Sequence, residues 1–317
     1  MTPSSVEQSA CNLSFSMWQE HMWPILALEF PLALAGNAFA IYRFVACERP
    51  WHAGIVYSFH LAVSGLFYAL SLPFLAAYYY PPKHWRYGLA LCKLERFLFS
   101  CNLYGSIFFL TCISLNRYVG IVHPFLAHRR LEPRQAWLLS SAGWLLVAIL
   151  CAPTLHFSEL QPQGNRTECL GSATEQQLHR YLPYSLVLAV LGCGLPFLLT
   201  ISSYAAILRT VCRNPHLTPP EKQQVGRLVG VGVGLYAISY LPYHTLRNLN
   251  LGQRLAAGGS CSLLIHSAYQ LSKVLVTLNI CAHPVLYGAL ASSMRGWCSA
   301  LCRQGGGSPP PDMALKG

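Results

Sequence analysis

Apolar residues run through this chain in long blocks separated by short polar ones. Seven blocks approach or exceed the roughly 20 residues that carry a helix across a bilayer core. They are 24–46, 54–79, 91–122, 136–156, 182–210, 224–249 and 265–289. The third and fifth are long enough to tilt or protrude. None shows the apolar–polar alternation of a strand, and lipid accepts only helices or closed barrels because exposed backbone groups find no partner there. The pattern predicts an all-α membrane protein, a bundle of seven transmembrane helices within residues 24–290. Residues 1–23 are polar, carry Glu7 and Glu20 without a basic start, and do not read as a signal peptide. Residues 291–303 predict a short amphipathic cytoplasmic helix lying in the interface. Residues 304–317, with "GGGSPPP", have the composition of a disordered tail.

Composition supports this reading. Hydrophobic residues make up 53% of the 317 and charged ones 10%, against about 25% charged in a soluble chain. The net charge of +11 sits between the apolar blocks. There is no basic tract interleaved with aromatics, so the partner it implies is an anionic leaflet of the lipid bilayer, not nucleic acid. With residues 1–23 outside the cell, 13 of the 22 Lys and Arg fall on the cytoplasmic side. Of the other nine, Arg96, Arg247 and Lys273 read as intramembrane or at its outer edge. The bias predicts that orientation, and the location expected of the chain is the plasma membrane.

Thirteen cysteines leave at least one unpaired. Cys11, Cys92, Cys169 and Cys261 fall in segments expected outside, where two bridges would form in any of three pairings. The other nine, as isolated thiols in spans or facing the cytosol, read as small apolar packing residues. Cys298 and Cys302 are in addition candidates for palmitoylation. Sequons at Asn12 and Asn165 also fall in segments expected outside. No Cys/His spacing suits zinc, and neither a metal nor a cofactor is called for.

The polar residues inside the spans carry the chemistry. The single Asp is Asp312, in the tail, and no carboxylate lies between Phe97 and Ile113 of the third span, which disfavours a cationic amine ligand. Cations accumulate instead. Arg96 lies about one turn below Cys92, His244 and Arg247 are three residues apart on one helix face, and so are Gln270 and Lys273. Charged groups within spans face the bundle interior and mark ligand paths. Glu29 is the acidic counterpart in the first span. A purely structural pairing of Lys273 or Arg247 with Glu29 or Glu95 competes with a ligand role. The surplus of positive charge fits an anion with several negative charges, met bidentately by Arg and as a point charge by Lys. No paired carboxylates, Ser/His/Asp order or metal-ligand set argues for an enzyme. "GVGVG" (230–234) lies within a span, where it reads as close helix packing and not as a phosphate loop. An anion carrier is the alternative of a different class, weakened by the absence of an internal repeat.

Several fixed points resemble one superfamily, in order and about one per span. They are Asn37 in "GN", Cys92 in "LCKLERF", "LNRYVGIVHP", Trp144, Pro196, Tyr204, Pro242 and "HPVLY". The chain resembles a rhodopsin-like G-protein-coupled receptor. The resemblance implies a Cys92–Cys169 bridge and a heterotrimeric G protein docking against Arg117, Tyr204 and Tyr287, with Asn116, Tyr118, Pro242, His283 and Pro284 in the activation machinery. The chain departs from the family pattern at four places. Asn116 replaces the acidic residue before Arg117, and His283 replaces the Asn before Pro284. Gly65 stands where an Asp usually helps hold a sodium ion, and a glycine offers no carboxylate. Tyr240 replaces the common Trp or Phe of the sixth span. Within that superfamily, "YHTLR" and "YQLSK" resemble elements of the metabotropic purinergic nucleotide receptors. "YPPKHWRYG", "LERFLF", "CISLNRY" and "GIVHPF" look like its ATP-preferring branch. This narrower resemblance implies that Arg96, Arg247 and Lys273 hold phosphates and that His244 and Gln270 hydrogen-bond phosphate or base. It further implies that Tyr104, Phe99 and Tyr269 line the pocket for the adenine ring, and that Cys11 pairs with Cys261. Related receptors take small dicarboxylates such as succinate with a similar basic set, and that reading stays open.

Overall fold

A computed structural model describes residues 22–48, 50–124, 126, 132–171, 173–256 and 262–304, with 163, 175 and 285–304 described by backbone alone. Asn12, the proposed Cys11–Cys261 pair, the side chains of Tyr287, Cys298 and Cys302, and residues 305–317 therefore lie outside the described part.

Six helices are long and apolar enough to cross a membrane: α1 (Met22–Ala46), α2 (Ala53–Tyr79), α3 (Gly88–Val122), α4 (Pro133–Phe157), α5 (Leu178–Arg213) and α6 (Pro219–Ala256). A seventh, α7, runs Leu263–Gln304. The first four agree with the expected spans to within a few residues, while α5 and α6 extend past theirs at both ends. Residues 291–303 are helical, but they continue α7 instead of forming a separate element. α3 is the most buried of the six and packs on α2, α4 and α5; α1 closes the bundle against α2 and α7, and α6 packs along α7. Leu28, Phe39, Leu145, Leu198 and Ile238 point outward and are each more than half exposed. Such a continuous apolar belt needs an apolar solvent.

The irregular points fall at prolines. Pro73 has no N–H to give to the carbonyl of Ala69, and α2 breaks between Ala69 and Leu72. There the Ser71 hydroxyl donates to the Tyr68 carbonyl at 2.7 Å. α4 breaks in the same way before Pro153, where the Thr154 hydroxyl donates to the Cys151 carbonyl at 2.6 Å. In α5, residues Leu188–Gly194 widen into a π-helical turn just ahead of Pro196. The Tyr236 hydroxyl of α6 donates to the Cys193 carbonyl in that turn at 2.9 Å. α6 stays helical on both sides of Pro242.

A strand pair appears where the sequence pattern predicts only a connecting loop. β1 (Glu159–Gln163) and β2 (Arg166–Leu170) form an antiparallel hairpin in which Leu160 opposes Cys169. Gly164 opens its two-residue turn at φ +59°, a conformation that favours glycine. Asn165 stands exposed beside it. The hairpin is tied to α3 by the Cys92–Cys169 disulfide. It is also tied to the segment before α3. Trp85 N–H donates to the Thr167 carbonyl at 2.8 Å, Thr167 N–H to His84 Nδ1 at 3.0 Å, and Lys83 pairs with Glu168 at 3.0 Å. Burial pushes the Lys83 ammonium below the usual lysine range, and Glu168 pushes it back up.

Close helix packing is confined to a few glycines. A Cβ on Gly36 of α1 would stand 2.8 Å from Pro284 of α7, and one on Gly65 of α2 would stand 2.8 Å from Asn37 Oδ1. The Asn37 side chain thus sits against the space beside Gly65, where the resemblance leads to the expectation of an Asp. In "GVGVG" the expected packing holds only at Gly232, whose Cβ would lie 3.3 Å from the Tyr204 hydroxyl; Gly230 and Gly234 face open space. Gly143 of α4 lies directly on the Phe108 ring, leaving no room for a methyl group. Gly143→Ala should therefore cost roughly 1–3 kcal/mol by overpacking, seen as a lower unfolding temperature of the purified protein. An unchanged transition would show that the Phe108 ring moves aside freely.

Candidate functional site

A pocket partly open to solvent, with about 650 Å³ of empty space when that opening is included, lies between the hairpin end of the helices and the bundle core. α3 contributes Glu95, Arg96, Phe99 and Ser100, α6 contributes Tyr243 and Arg247, and α7 contributes Tyr269, Lys273 and Thr277. Gly171, just past β2, lies at its rim. The wall thus holds three cations and one carboxylate.

Each cation is held differently. Arg96 Nε lies 3.3 Å from Glu95 Oε2, and Arg96 Nη2 donates to the Cys169 carbonyl at 2.9 Å. The guanidinium therefore joins α3 to the hairpin immediately beside the disulfide. A Cβ on Gly171 would stand 2.9 Å from Arg96 Nε, so the bare glycine backbone is what admits that side chain. Arg247 is buried, donates from Nη2 to the Tyr181 hydroxyl, and lies over the rings of Tyr181 and Tyr243 at 5.3 and 5.8 Å. Lys273 lies over the Tyr269 ring at 4.4 Å. Aromatic faces offset part of the hydration these charges lose, but they supply no counter-charge.

Pairing of Lys273 or Arg247 with Glu29 or Glu95 is not what forms: among the described residues, Arg96 takes Glu95. Glu29 instead accepts from the Thr277 hydroxyl at 3.0 Å, with its second oxygen unpartnered among the described residues. Lys273 and Arg247 make no ion pair among the described residues.

The cavity brings together Arg96, Phe99, Arg247, Tyr269 and Lys273. Tyr104, His244 and Gln270 do not line it. Tyr104 and His244 are buried neighbours with ring centroids 5.6 Å apart. Among the described residues, neither the Tyr104 hydroxyl nor either His244 ring nitrogen has a partner. Gln270 Nε2 lies 3.2 Å from His266 Nε2. Tyr181, Tyr243 and Gly171 belong to the site but carry no sequence signal, and Glu95, expected as a partner of Lys273 or Arg247, is instead beside Arg96. Glu95 and Arg96 are consecutive, a spacing that does not ordinarily place two helix side chains face to face.

The opposite end of the bundle holds the second predicted group. Arg117 is partly buried near His52 and Tyr204. Burial pushes His52, just ahead of α2, below the usual imidazole range; Glu48 opposes this and Arg117 adds to it. Asn116 packs against Gly54, where a Cβ would stand 3.2 Å from its Nδ2, and the Tyr118 hydroxyl lies 3.0 Å from His123 Nε2. Tyr204 is buried against Gly232. His283 is fully buried, one residue before the Pro284 that touches Gly36, and both its ring nitrogens are unpartnered among the described residues.

With a seven-helix bundle and a basic, tyrosine-lined cavity at its hairpin end, the comparison with known proteins is specific. The profile of the family "7 transmembrane receptor (rhodopsin family)" matches residues 36–287. Purinoceptor 11 of Homo sapiens, a metabotropic receptor, is 50% identical over 309 residues, covering 89% of this chain and 82% of the relative. The chain belongs to the metabotropic purinoceptors of the rhodopsin family. Purinoceptor 4 of Rattus norvegicus, of the same group, is 37% identical, with 91% of this chain and 80% of the relative covered. For purinoceptor 1 of Gallus gallus the figures are 34%, 96% and 86%. The chain is thus a multi-pass membrane receptor and not an enzyme.

Tyr181 is the main support of the receptor's buried guanidinium. Its hydroxyl accepts from Arg247 and donates to the Gly171 carbonyl at 3.3 Å. Tyr181→Phe leaves Arg247 with the rings alone and should cost about 1–3 kcal/mol, read as a fall in unfolding temperature without ligand. No change would mean that water replaces the hydroxyl at no cost.

Proposed function

We propose that this purinoceptor is activated by extracellular nucleotides of the ATP kind and signals through heterotrimeric G proteins. The observation that carries the reading is the imbalance in the cavity wall, where Arg96, Arg247 and Lys273 face a single carboxylate, Glu95, among Phe99, Tyr243 and Tyr269. A nucleoside triphosphate complements both halves of that wall. Its phosphates supply the missing negative charge to the two arginines and the lysine, and its base has aromatic faces to lie against. The relatives, purinoceptors all, support the same ligand class.

In this reading the hairpin end faces outside and residues 1–23 are extracellular. Asn12 and Asn165 then carry glycans, and a Cys11–Cys261 bridge ties the N-terminus to the segment before α7. His244, Tyr104 and Gln270 act from behind the wall, and the unpartnered polar groups of Tyr104 and His244 become available to a ligand that reaches deeper. The G protein docks at the Arg117 end, against Arg117, Tyr204 and Tyr287, with Cys298 and Cys302 lipid-anchored beside it. Pro242, between the cavity and that end, is where the two halves of α6 bend relative to each other, coupled to the Asn116–Tyr118 and His283–Pro284 segments.

The test is a second-messenger assay in cells expressing the receptor, over a panel of nucleotides and dicarboxylates. ATP or a close relative should activate; a response to succinate with none to any nucleotide would sink the reading. Removing one charged contact from a phosphate costs roughly 1.5–3 kcal/mol. Arg247→Ala and Lys273→Ala should therefore each weaken nucleotide potency by about 10- to 100-fold at unchanged surface expression. Full potency in both would remove these residues from the ligand contact.

A further inference from the structure

Two of the three cations in the pocket have no counter-charge from the described residues. Arg247 is buried on α6 and Lys273 is partly buried on α7, and both line the pocket. The nearby carboxylates are turned to other groups. Glu95 Oε2 lies 3.3 Å from Arg96 Nε, and Glu29 accepts from the Thr277 hydroxyl at 3.0 Å. The two cations border one patch of wall. Lys273 Nζ lies 4.4 Å from the centre of the Tyr269 ring, Arg247 Cζ lies 5.8 Å from that of Tyr243, and the two ring centres are 5.9 Å apart. Like charges so near in a poorly hydrated wall repel, and each raises the cost of keeping the other. Tyrosine faces and water orient around a cation but carry no net charge.

We infer that, before agonist arrives, chloride from the extracellular medium occupies this patch as the counter-ion of Arg247 and Lys273. The pocket is partly open to solvent, so ions reach it. Chloride is compact, carries a full negative charge at every physiological pH, and accepts N–H donors from any direction. That suits donors on two different helices, whose separation is set by the bundle and not by the ligand. A carboxylate built into the same patch would neutralise it permanently and turn a polyanion away, whereas a mobile ion neutralises it and then leaves. A polyanionic agonist displaces the ion because its charges are joined: one molecule serves both cations and Arg96 as well. Chloride is then a competitor, lowering apparent agonist affinity by the factor 1 + [Cl−]/Kd. The competition rests on the nucleotide reading of this pocket; the chloride site does not.

The test is the chlorine NMR line width of chloride buffer over the full-length receptor in nanodiscs of zwitterionic lipid, with no nucleotide present. Chloride exchanging with a protein site relaxes fast and broadens the line. Broadening beyond that of empty nanodiscs is expected in the parent. It should fall in Arg247→Ala and Lys273→Ala and persist in Arg209→Ala, which removes an exposed cation from the other end of α5. Equal broadening in all four proteins overturns the site. The parent alone supplies a second measure that needs no variant to fold. Replacing gluconate, a much larger anion of the same charge, by chloride at constant ionic strength should raise the unfolding temperature along a saturating curve. A flat or non-saturating response overturns the site. In cells, the ATP half-maximal concentration should fall about threefold when gluconate replaces chloride. Chloride binding without that fall overturns the competition. If the receptor ignores ATP in both media, the ligand assignment fails, and line width and unfolding judge the ion by themselves.

Discussion

A bilayer offers a backbone amide nothing to bond to, and the form of this protein follows from that constraint. Seven helices satisfy their own backbones, and their outward faces are free to be apolar. Departures from regular helix are tolerated only where another group takes over the lost bond. The Ser71 hydroxyl does so beside Pro73, the Thr154 hydroxyl beside Pro153, and the Tyr236 hydroxyl in the π-helical turn before Pro196. The extended segment lies outside the spans, where β1 and β2 bond each other and the segment before α3.

The same constraint makes the cavity unusual. Placing guanidinium and ammonium groups inside a helical bundle costs hydration, and Glu95 compensates one of three. The tyrosines reduce the cost without removing the charge. Cations left so poorly matched attract any multiply charged anion of the right size. Arg96 gives such an anion mechanical reach: the guanidinium at the wall also holds the Cys169 carbonyl. A ligand that draws on Arg96 acts on the hairpin as well.

Much of this is legible in the residues, and what is not has a common cause. Span positions follow from apolar run length, a property of consecutive residues. Arg96, Arg247 and Lys273 stand out because charge inside an apolar run is rare. The hairpin is hidden because "ELQPQGNRTECL" is too short and polar to alternate cleanly; its one turn signal is the Gly164-Asn165 step. Glu95 as the partner of Arg96 and Tyr181 beneath Arg247 are adjacencies fixed by side-chain direction and helix rotation, which spacing along the chain does not encode. The same holds for Tyr104 and His244, whose place within the spans can be read from the chain but whose depth behind the wall cannot.

The glycine at position 65 shows how a local substitution reorganises what surrounds it. A carboxylate there would draw a cation into the core. Without it, the Asn37 amide sits against the space, its nitrogen donating to the Ala33 carbonyl at 2.8 Å and reaching the Ile280 carbonyl at 3.4 Å. That places an α1–α7 tie one turn from the Gly36–Pro284 contact. His283 and Asn279, unpartnered among the described residues and buried on the same stretch of α7, add neutral polar groups in place of anionic ones. Buried polar atoms of this kind call for water. The demand for a counter-charge is left at the cavity itself, where a ligand can meet it.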